Sequence, residues 1–280
     1  MGELRARRKG GIQVRRRIRA TTVALAAALV AVLAVGTGPA MAVIGGTHDS
    51  ANKFSNVGLV AVDGQPECSG TLYRTSPSQN SSVLVMTAAH CTSGVTGQFG
   101  VTFSPEEPDA STQYLTGTAY THPAFAFPDK VNNSLNQFAT SDLGVVVLDK
   151  APKGIKPADL PSLGLVDTLD PKTTLLTAVG YGIVDFATAN AFTYNGRNYK
   201  DATILEGQRT ATGDKFLKIS AATCFGDSGG PIFLKGTSTI VAVTSWIQSY
   251  VCSSQGYQYR IDQQTVLDFL RNPTTVGVRQ

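Results

Sequence analysis

Gly226-Asp227-Ser228-Gly229-Gly230-Pro231 is the stretch on which the reading of this chain turns. A serine set among glycines can occupy a tight turn, because glycine enters the left-handed backbone region without steric penalty. The N–H groups of such a turn converge on one point, an arrangement that stabilises a developing oxyanion. A serine hydroxyl is a poor nucleophile until a positioned base takes its proton, so a histidine must come from elsewhere in the chain. Three exist: His48, His90 and His122.

The Gly-x-Ser-x-Gly pattern also fits the nucleophile elbow of α/β-hydrolases, which place their histidine after the serine. No histidine follows Ser228. The subtilisin order needs an aspartate before the histidine in an α/β chain; Asp49 and Asp63 satisfy it only nominally, and the rest of the chain is β-rich. Runs rich in Val, Ile, Thr, Leu and Tyr recur at 57–62, 82–86, 113–119, 144–148, 175–179, 240–243 and 257–261, between Gly, Pro, Ser and Asn clusters. That is the pattern of an antiparallel sandwich or barrel, and closing the sheets removes their exposed edges. A helix is expected only over 262–271, where Val266, Leu267, Phe269 and Leu270 form an apolar stripe behind an Asp262 cap. The polar segment 190–200 reads as a surface loop or loose hairpin.

Thr87-Ala88-Ala89-His90-Cys91 follows an apolar run, which sets His90 just beyond a strand end and makes it the best base candidate. Together with Cys68-Ser69-Gly70-Thr71-Leu72 and the serine stretch, it resembles the ordered signature of trypsin/chymotrypsin-like serine proteases, of the secreted bacterial type. The resemblance runs from Val43 to about Leu270. It implies an all-β fold of two six-stranded antiparallel barrels with a short C-terminal helix, the active site lying between the barrels. It also implies a serine endopeptidase that works through an acyl-enzyme. Within that template the orienting aspartate is Asp142, which opens the apolar run 143–148; Asp129 sits in a proline-containing loop and Asp149 closes the strand.

The same resemblance assigns the N–H groups of Gly226 and Ser228 to the oxyanion hole, and pairs Cys68 with Cys91 and Cys224 with Cys252. From the residues alone, four cysteines in an exported chain predict two disulfides in any of three connectivities. Val43-Ile44-Gly45-Gly46 resembles the family's activating N-terminus, whose ammonium pairs with the aspartate before the nucleophile, here Asp227. By the same resemblance Ala222, Ser245, Trp246, Ile247 and Gly256 are expected at the substrate pocket. Ala222 at its base offers no carboxylate for Lys or Arg, and Ile247 narrows its mouth, so a small or medium apolar side chain is the expected guest. His48 lies in the polar segment after Val43 and His122-Pro123 reads as a turn, so neither is assigned to catalysis.

Residues 1–42 read as an export signal: a basic start, an uninterrupted apolar run over 23–35, and Ala40-Met41-Ala42 as a cleavage site. That leaves 43–280 as one protease domain, extracellular, with Val43 at its N-terminus. Export itself then produces the active form. Arg15-Arg16-Arg17 leaves the general and twin-arginine routes both open. The leader carries eight of the 24 Lys and Arg, so 16 remain against 19 Asp and Glu and the mature part is acidic. Nucleic-acid binding thereby loses the basic surface it needs. The expected partner is a peptide or protein substrate, met by a monomer with no membrane contact after signal cleavage. Neither metal nor organic cofactor is expected. Two other classes remain: a binding protein on the same fold without catalysis, and a secreted esterase or lipase, which the histidine order opposes.

Overall fold

The computed structural model describes residues 42–126, 141–188, 191–205, 214–247, 252 and 256–280. All but Ala42 of the expected 1–42 export signal, and the rival Asp129, lie outside the described residues. Chain order begins with an irregular turn at Ala42–Gly45 and β1 (Thr47–His48). The first half then contributes β2 (Val57–Val62), β3 (Gln65–Arg74), β4 (Leu84–Thr87), β5 (Phe99–Thr102), β6 (Leu115–Thr121) and β7 (Gly144–Leu148). These six pair in the order β6-β5-β2-β3-β4-β7, and β6 also pairs β7, with Gly117 opposite Leu148 and Thr121 opposite Gly144. The sheet is therefore a closed six-stranded barrel.

After β8 (Ala158–Asp159), which runs parallel to β3, come β9 (Leu175–Gly180), a hairpin of β10 (Asp185–Thr188) and β11 (Ala191–Thr193), and β12 (Asn198–Thr203). Then follow β13 (Phe216–Lys218), β14 (Pro231–Leu234), β15 (Ile240–Ile247) and β16 (Gly256–Arg260). The second sheet has the order β1-β12-β9-β14-β15-β16-β13. Just past its two ends, Ile204 bridges Ile219, with Leu205 N–H on the Lys218 carbonyl at 2.9 Å and Ser220 N–H on the Thr203 carbonyl at 3.0 Å. Those bonds bring β12 round to β13, so six strands enclose a second core and β1 is an added edge strand. The expected two-barrel, all-β architecture is what the chain adopts.

Each barrel is filled from its alternating inward face. Val60, Leu72, Val85, Val101 and Val146 fill the first, and Leu176, Ala178, Leu217, Ile219, Ile232 and Val241 the second. A third cluster joins them: Leu59, Met86 and Leu143 from the first half meet Val179, Tyr257, Tyr259 and the C-terminal helix. That helix, α1 (Gln264–Arg271), buries Val266, Leu267, Phe269 and Leu270, the stripe expected from the 3.6-residue period. Asp262 does not cap it. Gln263 holds the cap position, and Asp262 is buried against Arg260 at 2.9 Å while accepting the Val166 N–H at 2.8 Å. The short α2 (Pro273–Val276) and β17 (Val278–Arg279) end the chain, β17 against β6. Among the described residues no helix is long and apolar enough to cross a membrane.

Segment 190–200 takes the hairpin alternative at its start, as β11, and is more than a surface feature at its end. Its last three residues belong to β12, in the body of the second sheet. Arg197, just before β12, has no exposed surface and pairs with the equally buried Asp49 at 2.9 Å. The same guanidinium reaches the Val57 carbonyl, the Asn52 side chain and the Tyr181 hydroxyl. It thus ties the segment after β1 to both halves.

Candidate active site

His90 and Asp142 come from the same end of one strand pair. β4 and β7 are antiparallel, with Thr87 opposite Gly144, so the chain leaving β4 and the chain entering β7 lie side by side. A single 3₁₀ turn, Ala89–Cys91, carries His90 out of β4. Asp142 precedes β7 in a bend where Ser141 has φ of 68°, an uncommon backbone for a non-glycine residue. The Tyr259 hydroxyl accepts the Ser141 N–H at 3.0 Å and holds that bend. One Asp142 oxygen accepts the His90 backbone N–H at 2.9 Å; the other lies 2.8 Å from His90 Nδ1 and also accepts Ser245 Oγ at 2.6 Å.

Burial of this pair works against charge on both groups, yet their mutual attraction prevails. For His90 the burial is outweighed by the charge and hydrogen bond of Asp142, which raise its pKa above the ordinary imidazole value. For Asp142 burial is outweighed by His90, Ser245 and the His90 N–H, and the carboxyl titrates below the usual range. Asp142 is almost wholly buried while the His90 ring is partly exposed. The ring therefore presents its other nitrogen outward.

It faces a cleft of about 920 Å³ whose lining includes His90, Ser228, Gly226, Tyr181 and the Cys68–Cys91 disulfide. Two exposed aromatics, Phe225 and Tyr194, flank it. Among the described residues Ser228 Oγ has no hydrogen-bond partner, so its hydroxyl is available to a base approaching from His90.

The loop 224–230 is held by its carbonyls. Phe225 C=O accepts the Ile183 N–H at 2.8 Å and Asp227 C=O accepts the Gly230 N–H at 2.8 Å. In a trans peptide the N–H points away from the carbonyl, so the N–H groups of Gly226 and Ser228 turn away from those anchors. Neither is engaged within the described residues. Gly226 has φ of 90°, and a Cβ there would come within 2.8 Å of Gly182 Cα. Gly229, at φ 79°, packs against Ser69, Thr87 and Ala88 so closely that no side chain fits.

Ser69 locks this loop from the opposite barrel. Its N–H donates to Ser228 C=O at 2.8 Å, and its hydroxyl donates to Gly226 C=O at 2.7 Å while accepting the Tyr181 N–H at 2.9 Å. Ser69 lies inside the Cys68-Ser69-Gly70 stretch that carried the sequence resemblance, but no role was read for it. Its neighbour in sequence provided the only signal. Arg197 gave none, since an arginine in a polar segment reads as exposed.

Two disulfides join Cys68 to Cys91 and Cys224 to Cys252, the first behind His90 and the second beside the serine loop. Asp227 is fully buried, one oxygen accepting the Gly182 N–H and the other the Cys224 N–H, each at 2.9 Å. Burial pushes its pKa up to about 7, opposed by hydrogen bonds from Cys224, Gly182 and the backbone N–H of Val43. Val43 is itself buried, with φ of 47°, a strained value for a β-branched residue. The peptide N–H of Val43 thus reaches the Asp227 carboxylate. Of the expected pocket residues, Ala222, Ser245, Trp246 and Gly256 do not line the large cleft. Ser245 points its hydroxyl at Asp142, and Gly256 pairs with Ile247 across β15 and β16. The Ile247 side chain lies outside the described residues.

A comparison with solved structures returns mouse neuropsin, a serine protease expressed in the limbic system of the brain, at TM-score 0.56 and 21% identity. That alignment covers 78% of this chain and 95% of the other. Human heparin binding protein aligns at TM-score 0.61 and 15% identity, covering 81% and 94%. At these identities the likeness is one of fold. A comparison with curated proteins finds no match. The trypsin-like serine protease fold supports protease activity in general. Because the family model for trypsin matches residues 43–270, a span that takes in both barrels and nearly all of α1, this chain belongs to the trypsin family.

Proposed function

We propose that the protein is a secreted serine endopeptidase in which Ser228 is the nucleophile, His90 the general base and acid, and Asp142 the group that orients His90. The observation that carries this reading is the 2.8 Å contact of His90 Nδ1 with buried Asp142, in a ring that shares its cleft with Ser228. Ser228 Oγ attacks the substrate carbonyl carbon as His90 Nε2 takes its proton, and the carbonyl π bond becomes an oxyanion. The N–H groups of Gly226 and Ser228 receive that oxyanion. The carbonyl re-forms, the C–N bond breaks, and His90 gives its proton to the leaving amine. Water, deprotonated by His90, then cleaves the acyl-serine ester and the same proton returns Ser228 to its hydroxyl form.

The proposal extends to maturation. Cleavage before Val43 turns the N–H that now touches Asp227 into an ammonium, which neutralises a buried carboxylate and frees Val43 from its connection to Ala42. The unpaired carboxylate, with its pKa near 7, supports this reading. Residues 1–42 serve as the export signal, and a peptide or protein is the substrate, met by a monomer without a cofactor. A fluorophosphonate serine-hydrolase probe tests the whole scheme. Stoichiometric labelling of protein that begins at Val43 by intact mass, lost in Ser228→Ala, is the expected result; a Val43-starting protein that resists labelling points to a binding protein without catalysis.

A further inference from the structure

We infer that the pocket for the substrate residue on the acyl side of the scissile bond is built for a neutral carboxamide side chain, glutamine or asparagine. This rests on the endopeptidase reading above. Gln258, in β16, is wholly buried, and among the described residues neither the oxygen nor the nitrogen of its carboxamide has a hydrogen-bond partner. The hydroxyl of Thr223, also wholly buried, has none either. Buried polar groups are almost always satisfied, and leaving one unpaired is costly. Three such atoms on two neighbouring side chains imply a partner that the described residues do not supply.

The two side chains converge on one spot. A Cβ placed on Gly256 would lie 2.7 Å from Thr223 Oγ1, 3.0 Å from Gln258 Nε2 and 3.2 Å from the Trp246 carbonyl oxygen. No side chain fits at 256, and the atoms that close on this glycine are polar. It is tied to the reacting serine by two routes. Thr223 adjoins Cys224, whose N–H is bound by Asp227 next to Ser228. Gly256 pairs with Ile247 on β15, two residues beyond the Ser245 that hydrogen-bonds Asp142. Ala222, at the pocket base by resemblance, precedes Thr223.

The chemistry of the set selects the guest. A carboxamide and a hydroxyl each donate and accept, and Ala222, Thr223, Gly256 and Gln258 carry no charge. A substrate carboxylate would face an acceptor oxygen without a cation; a lysine or arginine would enter without a counter-charge; an aliphatic side chain would leave all three atoms unpaired. A second carboxamide satisfies donor and acceptor together, and exchanging the oxygen and nitrogen of Gln258 does not alter this. Sites built around substrate hydrogen bonds discriminate strongly against analogues that lack them. This differs from the apolar pocket expected from Ala222 and Ile247, which left Thr223 and Gln258 unweighed.

The test uses protein expressed from the full chain, wild type and Gln258→Leu. It is assayed on peptides identical except for Gln, Asn, Leu, Glu or Lys before the scissile bond. Fluorophosphonate labelling of Ser228 in both proteins reports that the active centre is assembled. Wild type is expected to favour Gln or Asn over the other three by at least about tenfold in kcat/KM. Gln258→Leu is expected to shift that preference towards Leu, with a melting temperature no lower than wild type because an orphan amide has left the interior. A labelled wild type that prefers Leu, Glu or Lys, or shows a flat profile, overturns the carboxamide assignment and leaves the endopeptidase reading standing. So does a Gln258→Leu protein that keeps the preference. Absence of labelling at Ser228 overturns both.

Discussion

Two forms of the protein that differ only in what precedes Val43, one starting there and one retaining Met41-Ala42, should diverge in stability as pH rises. In the longer form the partners of Asp227 among the described residues are N–H groups, and its pKa stands at about 7 against 3.8 for a free carboxyl. The folded state then binds more protons than the unfolded one between those values. Stability is accordingly lost as pH climbs from about 4 and levels off above 7. A shift of about 3 units corresponds to roughly 4 kcal/mol, an upper bound for a group buried this deeply. In the shorter form an ammonium replaces the Val43 N–H, draws the Asp227 pKa down, and removes most of that loss. His90 and Asp142 titrate in both forms, so they cancel in the difference. Urea midpoints taken at pH steps from 4 to 8 should show curves that meet at the acid end. They should separate by up to about 4 kcal/mol near pH 7.5, with equal m-values. Parallel curves would show that Asp227 gains nothing from a freed Val43, and the maturation argument would fail with them.

Asp142→Asn should lower kcat by about four orders of magnitude, because the imidazole is then held in the wrong tautomer. Since Asp142 is what raises the His90 pKa, the acid limb of the kcat/KM profile should move to lower pH in that variant; an unmoved limb counts against the pairing. Ser69→Ala unpairs the Gly226 carbonyl and the Tyr181 N–H, and should cut kcat by about 10- to 100-fold with KM nearly steady. A KM-only effect would mean that Ser69 does not align the oxyanion donors. Arg197→Leu strands buried Asp49 and should cost about 3 to 5 kcal/mol in denaturant unfolding. A loss below about 1 kcal/mol would show that the pair is no more than a surface-like contact.

Much of the site was legible because its chemistry depends on local sequence. The serine loop needs glycine at 226 and 229 for backbone reasons that hold wherever the loop is placed, so the residue types announce it. The strand runs near 57–62, 144–148 and 240–243 were legible for a similar reason, since a buried face with period two leaves its mark on the chain itself. Boundaries were less so: β15 extends to Ile247 and β12 absorbs the end of an apparent loop, because pairing with neighbours continues a strand past its apolar run. The reading of Asp262 as a helix cap failed because Arg260 and the Val166 N–H, both brought in by the fold, compete for the same carboxylate.

By itself the sequence determined the fold class, through periodicity, and named His90, Asp142 and Ser228 as the candidate reacting groups, through the resemblance those stretches carry. Only the tertiary structure decided that Ser69 of one barrel clamps the serine loop of the other, that Arg197 is a buried cation, and that Gln258 and Thr223 meet at Gly256 without partners among the described residues. Each of these joins residues far apart in sequence. Whether a polar side chain is solvated, paired or orphaned depends on what the folded chain brings beside it, and no local pattern encodes that.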